Sequence, residues 1–263
     1  MKFGVMANPS KDIISEIKRI GEMGFDFVEI TFEPPKCMPD EIMNKRSDIL
    51  KALEDYNMFA VGHFNWWANF GESYPAVKDA WVYEMKKVLE VGSYIGITKQ
   101  NLHSYGIGMV DRLPEFRKAY LDRWVTSLNE LTKEAKRYDI KLMIENSDSG
   151  NISDKSSLNY LFKRVKDLKF HLDVGHAMMW GRGMDGVKEL LFPFKNRIEH
   201  IHVHDNHAME DEHLPLGVAK FDYKWFAGVL KKMKYNKTLT FEVFTKDDDL
   251  VKLSMEKFKR CLE

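Results

Sequence analysis

Eight short apolar runs recur along this chain, each followed by a longer stretch with helical period, and this alternation restricts the fold more than any other feature. The runs are KFGVM (2–6), DFVEI (26–30), MFAVGH (58–63), KQNLH (99–103), IKLMIE (140–145), KFHLD (169–173), IEHIHVH (198–204) and LTFEV (239–243). Their ends lie on average about 34 residues apart, the length of one strand–helix unit. Between them, residues such as Phe116, Tyr120, Trp124, Leu128, Leu131 and Ala135 fall at steps of three and four with charges interleaved, the mark of an amphipathic helix. Such alternation requires a parallel sheet, either open and doubly wound or closed as a barrel. Eight units that fill 263 residues favour the closed form. The first strand is followed by ANPSKD rather than a Gly-rich phosphate-binding turn, which weakens a dinucleotide-binding open sheet. The expected fold is therefore α/β, a single (β/α)8 TIM barrel over residues 1–263, with no Pro/Gly/Ser linker or low-complexity tract to divide it.

Composition narrows the partners. The 40 Lys plus Arg balance 40 Asp plus Glu, so the formal charge is zero, and a broad nucleic-acid or anionic-membrane surface has no excess cations to draw on. Local charge runs such as Asp247–Asp249 and Lys231–Lys234 read as helix faces or termini. The two cysteines, Cys37 and Cys261, are far apart and lack C-x-x-C spacing, so neither a disulfide scaffold nor a thiolate zinc site is expected. No apolar run approaches the roughly 18–20 residues that span a bilayer, and the start reads as a strand rather than a signal peptide. The expected location is the cytoplasm, with no membrane partner.

Strand after strand ends in a side chain able to bind a metal. The third run ends at His63, the fourth at His103, the fifth at Glu145 and the sixth at Asp173, with His176 just beyond. His200, His202 and His204 share one face of the seventh at period two, Asp211 and His213 follow in the next loop, and Glu242 lies near the end of the eighth. In a parallel barrel all these ends open at one rim, so distant residues converge. A carboxylate at the end of an apolar strand calls for a cation or a partner. The nine residues His63, His103, Glu145, Asp173, His176, His202, Asp211, His213 and Glu242 are therefore candidate metal ligands. His200 reads as a satisfied polar residue of the interior, and His171, His204 and His207 as structural or supporting. Imidazole and carboxylate donors without thiolate suit Zn, Mn, Co or Mg, with Zn first for the His-rich portions.

At these positions the chain resembles the xylose-isomerase-like barrel superfamily, which includes endonuclease IV and sugar-phosphate isomerases and epimerases. The resemblance runs through HFNWWANFG from His63, NLH at His103, MIENSD around Glu145, HLDVGHA, HIHVHDN, DEHLPLG and FEV at Glu242. By that resemblance His63, His103 and Glu145 hold one metal. Glu145, Asp173, His202 and Glu242 hold a second, with Glu145 bridging, and His176, Asp211 and His213 hold a third. The same central four look like the single-metal set of ketose epimerases. That similarity implies Lewis-acid polarisation of an open-chain sugar, an enediolate, and proton transfer by Glu145 and Glu242 as catalytic residues. His176 orients the sugar, and Trp66, Trp67 and Trp180 pack on it or roof the pocket.

The alternative implied by the same resemblance is a zinc-dependent nuclease cutting at abasic sites, for which DNA is the partner. Departures count against it: HLDVGH stands where the nuclease has a DTCH string, and HVHD where it has HLND. The epimerase pattern also departs, since the Arg expected shortly after the seventh strand is absent, with Ala208 near that position. Arg182, beside Trp180, is a conceivable phosphate contact, although a surface Arg is the plainer reading. The expectation is a sugar or sugar-phosphate isomerase or epimerase holding one to three divalent ions, Zn first, with Mn or Co as alternatives, and acting on a small-molecule sugar.

Overall fold

The computed structural model describes residues 1–105, 113–147 and 152–263. In chain order the elements are β1 (Lys2–Met6), α1 (Ile13–Glu22), β2 (Phe27–Phe32), α2 (Pro39–Asn44), α3 (Arg46–Asp55), β3 (Phe59–Phe64), α4 (Pro75–Tyr94), β4 (Lys99–His103) and α5 (Pro114–Arg137). There follow β5 (Lys141–Glu145), α6 (Lys155–Arg164), β6 (Lys169–Asp173), α7 (Val174–Met178), α8 (Gly183–Phe194), β7 (Ile198–Val203), α9 (Tyr223–Lys232), β8 (Thr238–Phe241) and α10 (Asp248–Leu262). Each strand pairs in parallel with the next, and β8 returns to β1, so the sheet is a closed eight-stranded barrel. The (β/α)8 expectation holds.

Local chemistry starts the helices where the pattern placed them. Asp12, Asp154, Asp222 and Asp247 accept first-turn N–H groups of α1, α6, α9 and α10, and Pro39, Pro75 and Pro114 open α2, α4 and α5. Such caps contribute about 1 kcal/mol each. The run Asp247–Asp249 is the cap and first turn of α10, and Lys231 and Lys232 close α9, so both charge runs are helix termini. In α5 the buried stripe is Tyr120, Trp124, Leu128, Leu131 and Ala135, whereas Phe116 is exposed because the first turn and a half of this helix is not covered. Both cysteines are free thiols. Among the described residues no helix is long and apolar enough to cross a membrane.

The barrel interior has an apolar floor formed by Phe27, Val61 and Met143. Gly4 makes room for it, since a Cβ there would lie 2.3 Å from the Phe27 ring. Above the floor the inward positions turn polar. Register sets His103 beside Glu145, Glu145 beside His171, and Asp173 beside His202. One extra residue in β7, Glu199, shifts the β6–β7 register between Phe170 and His171, so His171 meets His200 and Asp173 meets His202.

Strand ends differ from the sequence reading by one or two residues. β2 runs on to Phe32 because Thr31 and Phe32 pair with His63 and Phe64. β7 stops at Val203 because Asp205 turns to pair antiparallel with Leu214. β8 stops at Phe241 because Phe244 N–H donates to His213 O at 3.0 Å, pulling the chain toward the loop.

Candidate metal centre

The nine candidate ligands meet at the C-terminal rim. His63 and His103 at the ends of β3 and β4 bring Nε2 to 3.6 and 3.5 Å from Glu145 Oε2. His202 Nδ1 lies 3.8 Å from Glu145 Oε1, 3.6 Å from Asp173 Oδ2 and 3.1 Å from Glu242 Oε2. Farther out, Asp211 Oδ2 is 3.1 Å from His176 Nε2 and 2.8 Å from His213 Nε2. His63–His103–Glu145, Glu145–Asp173–His202 and His176–Asp211–His213 thus form three groups whose donor atoms lie within 4.8 Å of one another. The first and third match sets that the resemblance implied, and the first two share Glu145; Glu242, the fourth donor implied for the second, lies 3.1 Å from His202 Nδ1 but groups with His204 and His213.

Backbone and neighbours hold each donor. Asp173 caps α7, accepting His176 N–H at 2.7 Å through Oδ1 and leaving Oδ2 toward His202. Asn146 clamps the ends of β5 and β6: its side chain donates to Asp173 O at 2.8 Å and accepts Asp173 N–H at 2.9 Å. Asp205 gathers the loop bearing Asp211 and His213 by accepting N–H groups from Gly217, Val218, Ala219 and Phe221 at 2.8–3.1 Å. His176 Nδ1 donates to Asn146 O at 2.9 Å and His213 Nδ1 to Glu242 O at 3.1 Å, so both rings aim Nε2 at Asp211. A carbonyl at the far nitrogen is what fixes a ligating imidazole.

The donor set fits a divalent ion on two counts. Glu145 Oε1, Asp173 Oδ2 and Asp211 Oδ1 are buried without a hydrogen-bond partner among the described residues, and leaving such atoms unmatched costs about 1–3 kcal/mol or more each. In addition, two donors about 2.1 Å from one tetrahedral ion stand about 3.4 Å apart, and the contacts at 3.5–3.8 Å among His63, His103, Glu145, Asp173 and His202 lie nearer that spacing than a hydrogen-bond length. Charges are matched too. Burial pushes the Glu145 carboxyl up, but His103, His171 and His202 hold it well below its ordinary value. Asp173 is held down against burial by His176 and His204, and Glu242 by His213 and His202. Burial pushes His213 down, yet Glu242 and Asp211 raise it to about 9. Burial, with His63 and His176 adding to it, takes His103 down to about 4 against the opposing pull of Glu145 and Glu242.

Several residues of this centre escaped the sequence reading. Glu29, in the middle of β2, accepts from His202 Nε2 at 2.9 and 3.0 Å and lies 3.0 Å from His200 Nε2, so it fixes which nitrogen of His202 faces the rim. It lies in a wholly buried strand, which the run DFVEI did not reveal. Asn101 donates to Glu145 Oε2 at 2.5 Å. Glu33, just past β2, faces His63 and Glu242, and burial raises its carboxyl. His200 is satisfied as expected, by Glu29 and by Thr238 Oγ1 at 2.7 Å. His171 supports Glu145 at 3.1 Å. His207 is instead an exposed residue paired with Glu212, because its loop turns outward there. Trp66 and Trp67 follow β3 and pack edge to face with centroids 5.6 Å apart, while Trp66 and Trp180 are 61% and 67% exposed. Arg182 pairs with Glu189 at 2.5 Å.

A closed parallel barrel whose strand ends gather imidazoles and carboxylates defines a class of metal-competent TIM barrels. The chain belongs to the xylose isomerase-like TIM barrel family, whose model matches residues 17–261. An uncharacterized protein of Methanocaldococcus jannaschii is 28% identical over 149 residues, 56% of this chain, and the match spans about half, 56%, of that relative. Among solved structures, the chain is similar to a D-tagatose 3-epimerase-like protein, with TM-score 0.85 and 24% identity over 100% of this chain and 97% of that one. It is also similar to D-allulose 3-epimerase from Methylomonas sp., with TM-score 0.80 and 18% identity over 100% and 98%. At these identities the likeness is one of fold.

Proposed function

We propose that this protein is a divalent-metal-dependent isomerase or epimerase of a small sugar or sugar phosphate. The observation that carries the reading is the meeting of Glu145, Asp173, His202 and Glu242 around His202 Nδ1, with the two glutamates arriving from β5 and from just past β8, strands that are not neighbours. Inverting a carbon beside a carbonyl calls for a base on one face of that carbon and an acid on the other, whereas a 1,2-isomerisation can use one group on one face. Glu145 is suited to this task because Asn101 and His171 hold Oε2 while Oε1 has no hydrogen-bond partner among the described residues. One glutamate takes the proton from the carbon next to the carbonyl, leaving an enediolate, and the other returns a proton to the opposite face. A divalent ion held by the four, with Zn first and Mn or Co as alternatives, would supply Lewis-acid polarisation of the carbonyl and adjacent hydroxyl. His176 orients the sugar hydroxyls, and Trp66, Trp67 and Trp180 offer apolar faces at the mouth. The fold neighbours named as 3-epimerases support this reading.

The test is exchange of solvent deuterium into a panel of ketoses, aldoses and their phosphates. Incorporation next to the carbonyl, lost in Glu145→Gln and in Glu242→Gln, is expected. No incorporation into any sugar by metal-loaded protein would overturn the reading. A second reading, a nuclease of the endonuclease IV type, is favoured by one observation, the outer group His176–Asp211–His213 that the epimerase set does not need. Incision of an abasic-site duplex, abolished by Glu145→Gln, would establish it instead.

A further inference from the structure

One buried imidazole stands between the inner and outer groups, and the nine-residue set leaves it out. His204, one residue past β7, is fully buried. Its Nε2 lies 3.4 Å from Asp173 Oδ1 and 3.6 Å from Asp211 Oδ1. Among the described residues neither ring nitrogen has a hydrogen-bond partner, and neither does the buried Asp211 Oδ1 it faces. Its ring stacks on His213 with centroids 4.2 Å apart at 24°, and it groups with His213 and Glu242 as a metal-competent cluster. Buried polar side chains in native proteins are nearly always satisfied. The carboxylate oxygens around this one stand at the spacing of donors that share an ion.

The space His204 fills is reserved for it. A Cβ at Gly175 would lie 1.9 Å from His204 Cε1 and 2.1 Å from Nε2. The turn from Asp173 to His176, which carries two candidate ligands, is therefore shaped around this ring.

We propose that His204 is a fourth protein donor of the outer site, closing the set His176, Asp211 and His213. Three protein donors leave a position open for water or substrate, and four complete a tetrahedral structural site. An outer ion bound this way is structural, it takes His176 Nε2 from the role of orienting the sugar because Nδ1 is already held by Asn146 O, and the proton chemistry stays with the inner group. The inference rests on the isomerase reading, because an outer ion that must accept a phosphate oxygen needs the open position.

The test uses full-length protein loaded with Zn or with Co. Metal content, affinity by chelator competition and the visible spectrum of the Co form are measured for the wild type, His204→Asn, His204→Gln and His213→Ala. Two substitutions at 204 guard against a folding failure in either one. The wild type is expected to hold an outer ion that His204→Asn and His213→Ala each weaken by roughly 10-fold or more. The inner ion should be retained, and the intense four-coordinate Co absorption should fall in His204→Asn as solvent enters. Unchanged affinity and spectrum in both 204 variants would overturn the proposal, and so would a wild type that binds the inner ion alone. Deuterium exchange is read in parallel. Its absence from the wild type counts against the isomerase reading, while the metal data decide the donor assignment separately.

Discussion

The two ends of the barrel hold the same kinds of residue in opposite states. At the end where the strands begin, Glu199 accepts from Lys141 at 3.1 Å and Lys237 at 2.8 Å, while Lys99 donates to Glu199 O at 3.1 Å and Thr238 Oγ1 at 3.0 Å. The carboxylate is saturated by its lysines. At the rim, Glu145, Asp173 and Asp211 each keep a buried oxygen without a hydrogen-bond partner among the described residues, although imidazoles surround them. Between the ends, His200 spans Thr238 and Glu29, and Glu29 reaches up to His202. Buried charge by itself is thus no mark of function. Donors that face one another at ion-sharing distance, with atoms left unmatched, are the mark.

Exchanging the charge at each end tests that division, and the largest effect is expected at Glu145. Glu145→Gln removes a shared donor and a proton-transfer group together, so deuterium exchange should fall by roughly 10³-fold or more, with loss of inner metal. Glu199→Gln at the opposite end makes an equally small change in shape. It should leave exchange and metal content within about twofold while costing about 1–3 kcal/mol of stability, because the lysines lose a charged partner. Equal loss of activity in both variants would erase the distinction.

Glu29 lies at the seam and should behave in an intermediate way. Burial pushes its carboxyl up, but His202 and His200 hold it well below the ordinary value, so it remains an acceptor for His202 Nε2. Glu29→Gln can present an N–H to that nitrogen, which favours the wrong tautomer at Nδ1. The expected result is a 10- to 100-fold fall in metal affinity, with activity recovered in excess metal and a changed His202 tautomer in nitrogen NMR spectra. Unchanged affinity and an unchanged tautomer would make Glu29 a structural residue only.

The sequence exposed the fold and most of the rim, and its blind spots have physical causes. Strand period and spacing located all eight strands, because barrel strands buried on both faces read as short apolar runs. His63, His103, Glu145 and Asp173 were legible as polar endings of such runs. Glu29 was not, since one carboxylate in DFVEI looks the same whether it faces the barrel axis or water. His204 was visible on the His200–His202 face, but its unmatched nitrogens depend on the spacing between Asp173 and Asp211, residues separated by α7, α8, β7 and the loop that follows it. That loop is organised by Asp205 and by His213 in the left-handed region at φ 49°, a conformation that no residue type in DEHLPLG announces. Only the family resemblance placed Asp211 and His213 beside His176.

The smallest effect is expected from Lys99, and it separates the ends by pH. Burial pushes the Lys99 amine down to about 8, with Lys141 and Lys237 adding to the shift and Glu199 opposing it, whereas an unfolded chain holds that proton to about 10.4. The charged form is therefore disfavoured by folding. Below pH 8 both states carry the proton and the cost is constant. Between about 8 and 10 the unfolded chain holds more protons than the folded one, so this group makes stability rise with pH. Tyr235, which burial raises well above 10, acts in the opposite direction only beyond that window. Lys99→Met should lie within about 1 kcal/mol of the wild type at pH 7, because lost hydrogen bonds offset removal of a poorly solvated charge. It should fall progressively behind as pH rises from 8 to 10, with metal content and exchange unchanged. Denaturant midpoints measured across that range decide the matter: parallel curves for the two proteins, or loss of metal in the variant, would show that the two ends are not energetically separate.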